Sequence, residues 1–187
     1  MLFYKYKLLS LLVLIISVSI YSSANKTERF SINHIASKCI ARYDLMILEA
    51  ASNGNVINLI EALKNGADVN IKNRYNGYTT PIMLATKNNH LEIMQELINA
   101  NADINLQDTQ GCTAIMIATQ NSNIAIMQKL IESGADINLI NKDGDSALLL
   151  AIFNRNTSMI DFLLANSADN SIINKNGFSA LKLLKSL

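Results

Sequence analysis

The segment GADVN at residues 66–70 returns three times further along the chain. The later copies read NADIN at residues 101–105, GADIN at 134–138 and SADNS at 167–171. Counted between first residues, the copies lie 35, 33 and 33 positions apart. A sequence period of this length is typical of a solenoid, in which short units stack on one another, and not of a globular enzyme domain.

Each copy of the segment closes a unit with the same layout. A turn ends in glycine and is followed by a hydroxyl residue, which predicts the capped start of a short first helix. The glycines are Gly77, Gly111, Gly144 and Gly177, and the hydroxyl residues are Thr80, Thr113, Ser146 and Ser179. Apolar residues at helical spacing then predict a second helix, for example over residues 93–98. That helix ends at the first residue of the next copy, where Gly or Asn suits a left-handed backbone, so Ser167 predicts a looser end.

This layout predicts an all-α fold, a solenoid of stacked helix-turn-helix units joined by short turns or hairpins. Each helix alone is too short to be stable, so neighbouring pairs must bury their apolar faces against one another. We expect a repeat domain at residues 40–187, with units at about 40–72, 73–107, 108–140 and 141–173 and a terminal half-unit at 174–187. Residues 25–39 are polar and are predicted to be a linker.

Residues 1–24 have the features of a secretory signal peptide. Lys5 and Lys7 form a basic start, residues 8–20 are an apolar run, and Ser22-Ser23-Ala24 offers small residues for cleavage after Ala24. A helix of 13 residues spans about 20 Å, which is shorter than the ~30 Å hydrocarbon core of a bilayer. We therefore expect export and a secreted or periplasmic protein. The alternative is that residues 1–20 stay uncleaved and anchor the chain in the inner membrane.

Composition and charge argue against several classes of function. The formal net charge is +1, so no basic field indicates a nucleic acid partner. Cys39 and Cys112 fit no zinc spacing, and the only histidines are His34 and His90. No motif places a nucleophile beside a second histidine, and the glycines are too isolated to form a phosphate loop. We expect no catalytic residue, cofactor or metal, and we expect the recurring aspartates of the GADVN copies to bind backbone amides.

The repeated residues resemble the ankyrin repeat family. Thr80-Pro81-Ile82-Met83-Leu84-Ala85 is similar to the family's TPLHLA signature, residues 89–93 (NHLEI) resemble its GHLEIV segment, and residues 66–70 match GADVN. The resemblance covers about residues 40–187 and implies an ankyrin solenoid. The family's signature histidine, which forms hydrogen bonds with the threonine, is Met83, Met116, Leu149 and Lys182 here. The turns of this chain must therefore be held in another way, whereas His90 occupies a usual His position at a helix junction.

The resemblance also implies where a partner would bind. Members of the family are mostly protein-binding modules that use turn tips and first helices as a concave surface. Carried over position by position, the candidate binding residues are Arg74, Tyr75, Tyr78, Lys87, Gln110, Gln120, Lys142, Phe153 and Phe178. Exposed aromatic residues and Arg often anchor interfaces, and the four aromatic residues of this set are not required by the repeat. Either they bind a partner or they pack against neighbouring turns.

The sequence thus predicts a monomeric, non-catalytic protein-binding module, exported by a bacterium of the host-associated kind, with a partner that stays unidentified. One alternative is a membrane-anchored envelope protein that stabilises or assists another envelope protein. A second alternative, from another class, is a small enzyme built on a solenoid. The altered copy at residues 167–171 and the incomplete last unit predict that the C-terminal end is the least stable part of the stack.

Overall fold

The computed structural model describes residues 41–185, and all helices and isolated bridges given below belong to that part of the chain. The first helix, α1, covers residues 41–53. It is followed by α2 (Val56–Lys64), α3 (Pro81–Lys87), α4 (Leu91–Asn99), α5 (Ala114–Gln120), α6 (Ile124–Glu132), α7 (Ala147–Phe153), α8 (Thr157–Ala165) and α9 (Ala180–Leu184). The predicted signal peptide, the linker, His34 and Cys39 lie outside the described residues.

The helices form a regular stack of pairs. α3 packs on α4, α5 on α6 and α7 on α8, and the first helices α3, α5, α7 and α9 pack on one another in chain order. Single antiparallel bridges close three of the connecting turns, at Asn73 with Thr79, Ile140 with Ser146 and Ile173 with Ser179. The predicted all-α solenoid with short hairpin-like connections is confirmed. No helix of the described chain combines the length and the apolar character needed to cross a bilayer.

The core consists of the apolar faces that the helical spacing predicts. In α4 the side chains of Ile93, Met94 and Leu97 are buried, and the equivalent residues of α6 and α8 are buried as well. Burying one such side chain contributes about 1.5–3 kcal/mol, which offsets the cost of ordering α2 to α8, which are only seven to nine residues long. The core is therefore continuous from pair to pair, as stacking requires.

The hydroxyl residues at the first-helix starts behave in two different ways. The Ser146 and Ser179 hydroxyls accept hydrogen bonds from the backbone N–H groups of Leu149 (3.4 Å) and Lys182 (3.3 Å), so the predicted caps are confirmed there. The same prediction is wrong for the other two units. Within residues 41–185 the buried Oγ1 atoms of Thr80 and Thr113 have no hydrogen-bond partner.

Methionine explains the unpartnered threonines. Three residues after each threonine, where the resemblance expects a histidine, the chain carries Met83 and Met116, both fully buried. A thioether offers no ring nitrogen to the hydroxyl; the Thr80 backbone N–H instead donates to Met83 Sδ at 3.4 Å. Because a buried hydroxyl without a partner costs about 1–3 kcal/mol, these two units carry a local penalty that the serine units avoid.

Hydrogen bonds between successive GADVN copies link the units. In each copy the Asp carboxylate accepts from the backbone N–H two residues later, and the final Asn accepts from the Asp N–H of the next copy. The first kind joins Asp68 to Asn70, Asp103 to Asn105, Asp136 to Asn138 and Asp169 to Ser171, at 2.8–2.9 Å. The second kind joins Asn70 to Asp103, Asn105 to Asp136 and Asn138 to Asp169, each at 2.8 Å. The aspartates therefore bind backbone amides, as predicted.

The last copy of the segment differs in its polar partner. Both the hydroxyl and the backbone N–H of Ser171 donate to Asp169 Oδ1, at 2.7 and 2.8 Å. These two hydrogen bonds favour the charged carboxylate and hold the pKa of Asp169 below its ordinary value. Ser171 takes the position at which Asn70, Asn105 and Asn138 accept from the next copy, so the series of side-chain links ends here.

The connecting turns form a second series of links. The backbone N–H of Thr109 donates to Gly77 O (2.8 Å), that of Lys142 to Gln110 O (2.8 Å) and that of Lys175 to Asp143 O (2.9 Å). Within each turn the first Asp or Asn accepts backbone N–H groups at Oδ1, as Asp108 does from Gln110 and Cys112 at 2.8 Å. The turns are therefore held by backbone and Asx hydrogen bonds in place of the family's histidine.

We expect Thr113→Val to raise the free energy of unfolding by about 1 kcal/mol, because valine keeps the shape of threonine and removes the unpartnered hydroxyl. The measurement is chemical denaturation of the full chain. Ser146→Ala is the matched control in the next unit, where loss of a working cap should lower stability by about 1 kcal/mol. A loss of stability in both variants would show that the Thr113 hydroxyl has a partner after all.

We expect Gly111→Ala to destabilise the stack more than Gly177→Ala. Both glycines have φ of +78°, so the backbone strain of alanine is alike, roughly 1 kcal/mol in each. At Gly111, however, a Cβ atom would lie 2.8 Å from Lys142 N and 3.0 Å from Asn141 Cα in the next turn, whereas at Gly177 nothing lies within 4 Å. The added overpacking should cost a further 1–3 kcal/mol or so. Equal losses in thermal denaturation would contradict this role of the turn contact.

Candidate protein-binding surface

The nine predicted binding residues are all exposed, and they occupy two kinds of position. Arg74, Tyr75, Tyr78, Gln110, Lys142 and Phe178 lie in the turns between units. Lys87, Gln120 and Phe153 are the last residues of α3, α5 and α7. We refer to the exposed residues of these turns and of the first helices α3, α5, α7 and α9 as the front surface, and each turn is taken to begin at the residue before its first Asn or Asp. The exposed residues of the second helices α2, α4, α6 and α8 and of the GADVN loops between them and the turns form the back surface.

Hydrogen bonds between units bring the predicted residues into two rows. The Lys142 N–H donates to Gln110 O at 2.8 Å, so these two turn tips are direct neighbours. At the helix ends, Asn121 Nδ2 donates to Lys87 O at 2.9 Å, which places the residue after Gln120 against Lys87. The repeat therefore converts positions about 33 residues apart in sequence into adjacent positions on the molecule.

Phe153 and Phe178 join the two rows. Their rings are 6.2 Å apart between centroids and stand at 83° to each other, an edge-to-face pair. Such a pair contributes about 0.5–1.5 kcal/mol beyond the area that it buries. Packing against a neighbouring turn, one of the two alternatives from the sequence, thus takes place here. The side chains nevertheless remain 46% and 41% exposed, so the pair still offers an apolar surface.

The turn before α3 differs from the other turns. It has two additional residues between its Asn and its Thr, and both Gly77 (φ +61°) and Tyr78 (φ +58°) have left-handed backbone. Among residues 41–185, Tyr75 N is the one donor to Asn73 Oδ1, at 3.0 Å, and the Tyr78 N–H donates to Asn73 O at 2.8 Å. A left-handed conformation is strained for a bulky residue. Tyr75 is 98% exposed, which leaves its ring available to another molecule.

Two exposed apolar residues of the turns are not among the residues predicted from the sequence. Ile140 and Ile173, 45% and 67% exposed, precede the turn Asn in successive units. The equivalent positions of the earlier units hold Lys72 and Gln107, and Gln107 Nε2 donates to Ile140 O at 2.8 Å. The sequence does contain a signal for these two residues, because each is apolar at a position that is polar in the other units.

The exposed charges are segregated between the two surfaces. Six cationic residues and one carboxylate are exposed on the front surface: Lys72, Arg74, Lys87, Lys142, Lys175 and Lys182, with Asp143. Eight carboxylates and one lysine are exposed on the back surface: Glu61, Asp68, Glu92, Asp103, Glu132, Asp136, Asp161 and Asp169, with Lys64. Four other exposed charges belong to neither surface: Arg42 and Glu49 of α1, Arg155 between α7 and α8, and Lys185 after α9. A net charge of +1 for the whole chain conceals this separation.

Two other carboxylates of the turns, Asp108 and Asp145, are not exposed. Asp108 is half-buried and its Oδ1 accepts two backbone N–H groups. Asp145 is buried and accepts from Asn174 Nδ2 at 2.6 Å. Both carboxylates therefore serve the turns, and the cations project from the same segments into solvent.

Candidate catalytic groups are placed for structural roles. His90 Nε2 lies 3.1 Å from Ser52 O, so the ring joins two successive units at the helix junction. Burial, with smaller contributions from Asp108 and Asp143, raises the pKa of the half-buried Cys112 thiol, which disfavours its reactive thiolate. Between residues 41 and 185 no group of three or more His, Cys, Asp or Glu side chains is arranged to hold a metal ion.

Comparison with known proteins agrees with this geometry. A family model described as ankyrin repeats in three copies matches residues 47–141 and 123–184. The human mitochondrial disaggregase is 40% identical over 75 residues, which are 40% of this chain and 10% of that protein. The chain thus spans about a tenth of the length of this curated relative. The family matches cover most of the described stack, and ankyrin repeats generally serve as protein–protein interaction modules. On its repeats, its turns and these matches, the chain belongs to the ankyrin repeat family.

Proposed function

We propose that the chain binds an acidic protein partner through its front surface, without catalysing a reaction. The observation that supports this proposal is the segregation of charge, with six exposed cations on the front surface and eight exposed carboxylates on the back. A one-sided field of this kind accelerates the approach of an oppositely charged partner and repels like-charged ones. It thereby selects which face of the stack meets the partner.

Aromatic residues would supply the affinity that charge alone does not. Charges at the rim of an interface mainly change association rates, whereas buried aromatic side chains commonly account for 2 kcal/mol or more each, roughly. Tyr75 and Tyr78 lie on the lengthened turn beside Arg74, and the Phe153–Phe178 pair lies at the other end of the surface. The partner would therefore bury one or both aromatic sites within a basic surround.

A nucleic acid fits this surface less well than a protein does. The six cations are distributed over three turns and two helices, and three glutamines or asparagines, Gln110, Gln120 and Asn121, separate them. A phosphate backbone is bound by dense rows of Lys and Arg, and its binding falls steeply with salt. A protein surface with a few carboxylates around an apolar centre requires fewer cations and matches the spacing better.

We expect Tyr75→Ala combined with Tyr78→Ala to weaken partner binding about 30-fold, the equivalent of about 2 kcal/mol at an aromatic anchor. The melting temperature should change little, because Tyr75 makes no core contact and Tyr78 is nearly half exposed. The partner is first trapped by crosslinking from the native organism, identified, purified and titrated against the full chain. Ile57→Ala, at a 78% exposed residue of α2, is the matched control and should leave the affinity unchanged.

Two charge variants, measured by their association rates with the same partner, test which surface the partner approaches. Lys142→Glu on the front surface should slow association, with a larger effect at low salt, while Glu92→Lys on the back surface should not slow it. Equal effects of the two variants would show that the partner does not approach the front surface. A large drop in melting temperature for the double tyrosine variant would assign the tyrosines to the fold instead of the interface.

We further propose that the chain is exported by its N-terminal segment and acts in the periplasm or outside the cell as a monomer. The support is the basic start, the short apolar run and the small residues that precede position 25. The alternative, an anchored envelope protein that assists another envelope protein, uses the same front surface but keeps residues 1–20 in the membrane. N-terminal sequencing of the protein recovered from its native cells separates the two. We expect a start at Asn25, and an intact Met1 in the membrane fraction would favour the anchor.

A further inference from the structure

Four asparagine–glycine pairs occur in the described chain: Asn53–Gly54, Asn65–Gly66, Asn76–Gly77 and Asn176–Gly177. Such pairs can lose ammonia when the glycine backbone nitrogen attacks the asparagine side-chain carbonyl carbon, because glycine has no Cβ to hinder the approach. The attack requires an asparagine carboxamide that is free to rotate and a glycine backbone N–H that makes no hydrogen bond. The structure distinguishes the four pairs on these two requirements.

Three of the pairs are restrained. Asn65 Nδ2 donates to Glu61 O at 2.8 Å, and the Gly66 N–H donates to Leu63 O at 3.2 Å. The Gly177 N–H donates to Asn174 O at 3.0 Å. Asn53 is the last residue of α1, and Gly54 backs onto the His90 ring so closely that a Cβ atom would lie 2.9 Å from it. None of these glycine nitrogens can turn toward its asparagine without breaking a contact.

Asn76–Gly77 has no such restraint at its two reacting groups, although the Gly77 carbonyl oxygen accepts a hydrogen bond from Thr109 N at 2.8 Å and Thr109 Oγ1 would lie 3.1 Å from a Cβ atom at Gly77. Within residues 41–185 neither the Asn76 carboxamide nor the Gly77 N–H makes a hydrogen bond, and both residues are exposed. The Asn76 backbone is held only at its N–H, which bonds to Asn73 O at 3.2 Å, and at its carbonyl oxygen, which accepts from Thr79. The next residue, Tyr78, has φ of +58°, so rearrangement here also has backbone strain to release.

We infer that Asn76 is a site of spontaneous deamidation in the folded protein. The Gly77 nitrogen forms a bond to Asn76 Cγ, the Cγ–Nδ2 bond breaks, and ammonia leaves with the proton of the Gly77 amide. Water then opens the five-membered imide at either carbonyl. The products carry aspartate or isoaspartate at position 76, and no oxidant or enzyme is required.

The modification would change the front surface where the aromatic site lies. Each product adds a negative charge between Tyr75 and Tyr78 and beside Arg74, and isoaspartate also inserts a methylene group into the backbone of the turn. Both changes oppose the binding of an acidic partner. This consequence rests on the proposed function, whereas the deamidation itself does not. The turn would then lose affinity with the age of the molecule.

The test is incubation of the full chain at neutral pH, followed by trypsin digestion and mass spectrometry. Cleavage after Lys64, Arg74 and Lys175 places Asn65, Asn76 and Asn176 at or near the start of separate peptides, residues 65–72, 75–87 and 176–182. Deamidation exchanges an NH2 group for OH, and an isoaspartyl methyltransferase labels the isoaspartate product. We expect the Asn76 peptide to convert about fivefold faster than the Asn176 peptide, the ratio expected when one backbone hydrogen bond must open before attack.

Incubation in urea supplies the matched reference, because all the pairs are then unrestrained and should convert at similar rates. Conversion of Asn65 or Asn176 in the folded chain as fast as that of Asn76 would overturn the inference. Asn76→Gln should abolish conversion of the peptide while leaving the melting temperature unchanged. Asn76→Asp reproduces the charge for the binding titration. If Asn76 converts but Asn76→Asp binds normally, the modification stands and the assignment of this turn to the partner surface fails.

Discussion

The register of the stack depends on the hydrogen bond that the Asp backbone N–H of one GADVN copy donates to the Asn side-chain oxygen of the copy before it. It recurs at 2.8 Å between Asn70 and Asp103, Asn105 and Asp136, and Asn138 and Asp169. A hydrogen bond of this kind adds only about 1 kcal/mol net, much less than the apolar core. Apolar faces, however, can slide, whereas an amide must meet one particular acceptor. The core supplies the energy, and the Asn ladder selects the alignment at which that energy is gained.

The surface follows from the alignment. Once the units are in register, the turn of each unit meets the turn of the next, and Thr109, Lys142 and Lys175 donate their backbone N–H groups across the gap. Exposed side chains at equivalent positions then form rows. Exchange of most of them changes a surface and leaves the stack intact, because the contacts between turns are made mainly by backbone and by Asx side chains; Gln107 and the Phe153–Phe178 pair are exceptions. Because different residues hold the stack and form its surface, a chain with the common repeat scaffold can have its own pattern of surface charge.

How much the sequence predicts depends on whether a feature repeats. The period locates the helix ends, the left-handed Asn101 and Ser167, and the extra residues around Tyr78, because each is visible as agreement or disagreement between copies. The caps at Thr80 and Thr113 were predicted wrongly, since whether a hydroxyl is paired depends on a neighbouring side chain and not on its own position. The charge segregation was missed for another reason: net charge sums both surfaces, and only a division of the exposed residues between turns and second helices reveals the two signs.

The distribution of polar contacts also bears on the prediction that the C-terminal end is least stable. The last copy of the GADVN segment differs most from the first, and its Ser171 replaces the Asn that would accept the next hydrogen bond between copies. Yet the contacts of the last two turns are more complete than those before them. Ser146 and Ser179 cap their helices, Asn174 bonds to the buried Asp145, and Phe153 packs on Phe178, whereas Thr80 and Thr113 bury hydroxyls without partners. Side chains at other positions thus make contacts where the sequence signature is lost, and the lower stability of the C-terminal end stays a prediction.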